Sequence, residues 1–159
     1  MNKIAALIIL SLLSTFSIAE ERLIAVEGSG MVEAVPDLIR INYNVFNLHK
    51  SDASKAKEKV DEISSLSVLA LTKLGVSEKD ITSSSLSVDT AKDYDDNGNT
   101  SVIGHVVRRD IDVVVRDINL YGDVIQALVD SQVSEIESVK PDVSNYEELK
   151  RKALASAAK

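Results

Sequence analysis

From Ile39 to Val45 every odd-numbered residue is apolar (Ile39, Ile41, Tyr43, Val45), while Arg40, Asn42 and Asn44 between them are polar. Successive side chains of a strand point to opposite faces, so this period of two predicts a half-buried strand. A slip of one residue would turn its whole apolar set to water, which fixes its register. Pro36-Asp37 opens the strand, and a residue with no N–H to donate suits a first position or an edge. Upstream, Gly28-Ser29-Gly30 interrupts an apolar run that begins at Leu23. Glycines in an extended run mark bends, so two short strands are predicted, Leu23–Glu27 and Met31–Val35, with a reversal near Pro36. A dinucleotide loop needs a third glycine and a helix after the turn. Position 33 is Glu33 and a strand follows, which excludes that reading.

Downstream, Ser51-Asp52 is a helix start, and Ala53, Ala56, Val60, Ile63, Ala70 and Leu74 recur at helical spacing, with Leu66 near the same face. Gly75 is the stop, with Leu71 and Val76 placed for the hydrophobic contact of a Schellman motif. The charged residues from Lys55 to Glu62 form a solvated face. Ile81–Thr90 is a serine-rich strand with Leu86 and Val88 on one face. Asp95-Asp96-Asn97-Gly98-Asn99 is a hairpin turn. Ile103–Arg116 is a long strand, with Val107, Ile111, Val113 and Val115 on one side and a bulge or bend expected within it. Asp117 caps a second helix whose stripe is Leu120, Val124, Ala127 and Leu128. Glu135–Val143 is a strand that Pro141 confines to an edge. Ser144-x-x-Glu147 is a capping box for a last helix with Tyr146, Leu149, Ala153 and Ala157 on its apolar side. Interspersed hairpins and helices predict an α+β fold, an antiparallel or mixed sheet packed against helices.

Met1–Ala19 has the parts of a secretory signal: Lys3, the apolar core Ile4–Leu13, and small residues at Ser17 and Ala19. Its apolar run is short for a span of about 20 residues. Cleavage after Ala19 leaves residues 20–159 as the mature domain. That chain carries 17 basic against 25 acidic residues, since only Lys3 is lost, a net charge of −8. The balance excludes a nucleic-acid partner and electrostatic attachment to anionic lipid, both of which need clustered Lys and Arg. With no cysteine, neither disulfides nor a lipid-modified N-terminal cysteine is available, so no stable membrane anchor remains after cleavage.

A glycine pair, five residues, then Pro36-Asp37 and an alternating strand resembles the bacterial SIMPL-domain family. The likeness continues in Leu74-Gly75-Val76-Ser77-Glu78-Lys79-Asp80-Ile81, Gly104-His105, Val113-Val114-Val115-Arg116-Asp117 and Lys150-Arg151-Lys152-Ala153. The order and spacing of these motifs are more specific than any one of them. Members are exported proteins described as periplasmic immunogenic or oxidative-stress-defence proteins. The resemblance implies a two-part α+β architecture with an αβ-plait-like portion, a periplasmic location, and no catalytic residues to carry over. A eukaryotic kinase-associated relative leans the reading toward binding. His105 stands where the family usually has tyrosine. Relatives continue past Lys150-Arg151-Lys152, which implies that the C-terminal part of the domain is missing here. An open sheet edge and a homo-oligomer, or simply a fragment, would follow.

The expected function is therefore an exported, non-catalytic binding or assembly module with an unidentified protein partner and no cofactor. Its structural motif is Gly28, Gly30, Pro36, Asp37, Gly75 and Gly104. Two alternatives stand beside it. Asp93-x-Asp95-x-Asn97-Gly98 matches the start of a calcium loop, which makes Asp93, Asp95 and Asn97 candidate metal ligands of a weak regulatory site. The twelfth position would be Gly104 in place of a bidentate Glu, and a polar hairpin tip is the plainer account. His49 reads as a surface histidine before a helix; a hydrolase would need His105 aligned with one of the serines and with Asp93, Asp95 or Asp96 across the hairpin, and no nucleophile-elbow motif is present.

Overall fold

The computed structural model describes residues 27–94 and 98–158. The signal segment, most of the predicted strand Leu23–Glu27, and the turn residues Asp95, Asp96 and Asn97 lie outside them.

The predicted alternation becomes β1 (Leu38–His49), with Ile41, Tyr43 and Val45 fully enclosed. After it come α1 (Ala53–Lys73), β2 (Ile81–Ser83), β3 (Ser87–Tyr94), β4 (Thr100–Val115), α2 (Tyr121–Asp130), β5 (Glu135–Asp142) and α3 (Tyr146–Ala157). All pairings are antiparallel. β4 and β1 are central, β5 lies outside β1, and β2 and β3 follow one another along the far edge of β4. Taking β2 and β3 as one interrupted strand, the order is β-α-β-β-α-β, the split βαβ plait. The α+β class and the plait-like portion thus stand as expected.

The register Ile41↔Val113 and Tyr43↔Ile111 puts the odd positions of both central strands on one face. There they meet Ala56, Val60, Ile63 and Leu71 of α1 and Val124 and Leu128 of α2 in a single core. α1 starts where Asp52 accepts the Ser54 N–H at 2.9 Å. It ends in the predicted Schellman motif: Val76 N–H donates to Leu71 O at 3.1 Å and Gly75 N–H to Thr72 O at 3.0 Å. Gly75 takes φ +95°, a conformation that costs glycine nothing.

Five expectations need correction. Met31–Val35 is not a strand: it runs without ladder partners, with Met31 and Val35 more than four-fifths exposed. Leu66 is half exposed, and the face it was assigned to buries Ser64 and Ser67 instead. Ser67 is there because the buried Tyr43 hydroxyl needs a partner: the two oxygens are 2.9 Å apart, and Ser67 Oγ donates onward to Ser64 O. Ile81–Thr90 is two strands, because Ser84 bonds Asp110 through both its N–H and its hydroxyl and turns the chain. Asp117 caps a short 3₁₀ turn at Ile118–Leu120, and α2 begins only at Tyr121. Ser144 does not open a capping box. Its N–H and hydroxyl both donate to Asp37, at 2.7 and 2.6 Å, and the helix starts from Asn145 without a side-chain cap.

Candidate functional site

The residues singled out from the sequence fall in three separate places. Gly28 and Gly30 lie against α3: a Cβ on Gly28 would strike the Ala157 carbonyl, and one on Gly30 the Ala153 carbonyl. Pro36 leads into β1, and Asp37 ties that entry to the start of α3 through Ser144. Those two bonds hold the Asp37 carboxyl below the usual range. The segment from Gly28 to Asp37 is therefore a strap along α3, not a pair of strands. Gly104 sits elsewhere, where β4 crosses the end of β1; a Cβ there would come within 2.7 Å of His49 O.

His49 and His105 are cross-strand partners in the β1–β4 ladder. His49 Nδ1 is committed to the Asp52 N–H at 3.1 Å, so it serves the start of α1. Asp93 pairs with Ser101, whereas His105 pairs with Thr90. Three residues of strand rise separate them, roughly 10 Å. The sheet thus does not bring Asp93 to His105 as a hydrolytic arrangement requires. Asp93 itself is exposed, and its Oδ1 accepts the Tyr94 N–H at 3.0 Å. Gly98 has the left-handed φ of +80° expected of the turn. Asp95 and Asn97, the other candidate calcium ligands, lie outside the described residues. Among the described residues no three acidic, His or Cys side chains are grouped to hold a metal ion.

α3 forms the first candidate surface. None of its twelve residues is buried. Leu149, Ala153 and Ala157 are half covered, while Tyr146 and Leu154 are 55% and 61% exposed. An isolated helix of this length is marginal in water, and most helical stability in proteins comes from packing an apolar face. The solvent-exposed Glu148–Lys152 pair at 2.7 Å adds little to this. In the sheet, β5 pairs with β1 and leaves its outer edge unpaired among the described residues.

The second surface was not foreseen. Arg109 lies on the core side of β4, between Val107 and Ile111, both fully enclosed, and opposite Val45. Its side chain is 22% exposed, and its Nη2 lies 2.8 Å from Asp61 Oδ1 on α1. The other oxygen of Asp61 takes Lys57 Nζ at 2.5 Å. The Lys57 hydrogen bond first, and the Arg109 charge after it, keep the Asp61 carboxyl below its ordinary range against the opposing effect of burial. Beside this pair a cleft of about 350 Å³ opens between α1 and β4. One signal could have revealed it: a lone arginine among the apolar odd-numbered residues from Val107 to Val115.

On the opposite sheet face the charges are spent on one another. Asn44 Nδ2 donates to Glu137 at 2.7 Å, and Arg108 lies 4.9 Å over the Phe46 ring with Glu137 at 3.9 Å. Asn42 bonds Asp112 at 2.9 Å, and Arg40 bonds Asp142 at 2.5 Å.

A family model described as SIMPL, a protein of unknown function (DUF541), matches residues 24–159. Similar curated proteins are the uncharacterized protein YggE of Escherichia coli K12, 28% identical over 84% of this chain and 54% of its own length, and YggE of Edwardsiella ictaluri, 25% identical over 84% and 56%. The chain spans about half the length of the curated relatives it matches. The matched span takes in the strap, the plait and α3 together, and on that match the chain belongs to the SIMPL (DUF541) family.

Proposed function

We propose that this protein is an exported, non-catalytic binding or assembly module that works in the periplasm, in envelope or oxidative-stress defence. The observation that carries the reading is α3: a helix of twelve residues, none buried, strapped to the plait by Gly28–Asp37 and presenting Tyr146 and Leu154 outward. A face that cannot sustain a helix alone gains stability when a partner covers it. The open edge of β5 offers backbone donors and acceptors to an added strand, with Pro141 and the charges of Glu135, Glu137 and Lys140 limiting which strands fit. Export is supported by the make-up of Met1–Ala19 and the acid excess of the remainder. Among the described residues no helix is long and apolar enough to cross a membrane.

The test places a photo-crosslinking residue at Leu154, and separately at exposed Lys92 as a control, in protein expressed with its signal. Adducts at Leu154 but not Lys92, on periplasmic protein whose mass begins at Glu20, are expected. An adduct of twice the chain mass identifies the partner as a second copy. Equal labelling at both positions, or a mass that retains Met1, would overturn the assembly face or the export respectively.

A further inference from the structure

Arg109 is the residue that the fold explains least. Every neighbour in its row is apolar and enclosed, so a methionine at this position would complete the core face. Burying a guanidinium there carries a desolvation cost that a single shared carboxylate offsets poorly. Asp61 is shared with Lys57, so two cations face one carboxylate. Among the described residues Arg109 pairs only with Asp61, which leaves guanidinium donors for a further acceptor.

Arg109 lines a cavity of about 350 Å³, within the range that suits a small ligand. Val68, Leu69 and Ile111 supply its apolar surface, and Glu78 adds a carboxylate to its lining.

We propose that the α1–β4 cleft binds a small aliphatic amino acid, its carboxylate on Arg109, its side chain against Val68, Leu69 and Ile111, and its ammonium toward Glu78. Planar guanidinium donors match a carboxylate. An anion without an amino group would meet Glu78 unfavourably, whereas an ammonium neutralises it. This site is separate from the α3 surface and does not depend on the assembly reading.

The experiment is titration of the full chain, observed by amide NMR and thermal melting, with leucine, 4-methylpentanoate, 4-methylpentanamide and N-acetyl-leucine. The last stands for the C-terminus of a peptide. Leucine is expected to bind with Kd on the order of 1 mM, shifting amides of residues 64–72 and 109–111, and to raise the melting temperature by mass action. Arg109→Met should fold, because it completes the apolar row and leaves Asp61 paired with Lys57, and should weaken leucine binding at least about tenfold. Glu78→Gln should erase the preference for leucine over 4-methylpentanoate. Binding unchanged in Arg109→Met, or equal affinity for the uncharged amide, would overturn the carboxylate site. N-acetyl-leucine binding as tightly as leucine would overturn the role of Glu78. Absence of saturable shifts with leucine up to about 50 mM would overturn the whole proposal.

Discussion

The bond between Tyr43 and Ser67 offers a prediction whose sign depends on the background in which it is measured. Tyr43 is fully enclosed, and its hydroxyl is 2.9 Å from Ser67 Oγ. Ser67 also donates to Ser64 O at 2.8 Å, so the tyrosine is the donor between them. Tyr43→Phe removes one neutral bond and leaves Ser67 satisfied, a loss of about 0.5–1.5 kcal/mol. Ser67→Ala strands the buried phenol hydroxyl, which costs about 1–3 kcal/mol. Alanine returns roughly 0.5 kcal/mol of that through its better helix propensity. The net loss from Ser67→Ala is therefore expected to exceed that from Tyr43→Phe. In the Ser67→Ala background, Tyr43→Phe removes the orphaned hydroxyl and should restore about 1 kcal/mol instead of costing it. Urea melts of the four proteins measure this cycle, with midpoints compared at constant m-value. Additivity of the two substitutions to within about 0.5 kcal/mol would refute the reasoning, because it would show that the pair is not coupled.

The strap is tested by Gly30→Ala, whose Cβ would meet the Ala153 carbonyl and lie 2.9 Å from Ala157 N; α3 amides should exchange at least about tenfold faster while α1 keeps its protection, and unchanged exchange in α3 would show that the contact is not needed. Burial raises the Tyr43 phenol above its ordinary value of 10.0, against the smaller opposing effect of Ser67. The folded state then holds a proton that the unfolded state releases, so this contribution to stability is complete below pH 10.0 and falls as pH rises beyond it. Urea melts across that window should show a shallower decline in Tyr43→Phe, and an equal decline would remove Tyr43 as the cause. Calcium at the Asp93–Gly98 turn should bind no tighter than about 10⁻⁴ M by calorimetry, and micromolar binding abolished by Asp95→Ala would contradict that.

What the sequence made legible was whatever depends on local periodicity. β1 is dictated by its alternation, and the end of α1 by Gly75 between Leu71 and Val76. The long strand β4 and its bulge followed from the same alternation and from its length. The misses share another cause. Met31–Val35 has the composition of a strand, yet strand formation needs a neighbour to pair with, and this segment meets a helix. Ser144 matches a capping box in isolation, but Asp37, 107 positions away, takes both its donors. Ser64 and Ser67 look like a wet helix face until the phenol of Tyr43 is placed above them. Arg109 was visible as a break in an apolar row, but nothing local ties it to Asp61 of α1. In each case a long-range partner decides the outcome, and periodicity carries no information about that partner.

Gly104 has a mechanical consequence. β1 ends where His49 faces His105, so from Gly104 outward β4 is held by β3 alone. The close pass of Gly104 over His49 and Lys50, and the register shift between Ala91 and Lys92 opposite it, form a fulcrum. Beyond it the two-stranded ribbon is a lever arm, with Tyr94 and Val102 exposed along it and no core residue attached. Two-stranded ribbons are weakly stable by themselves, so the arm can bend or twist while the plait keeps its register. Residues added in pairs at its tip would lengthen its reach and leave the core unaware of the change.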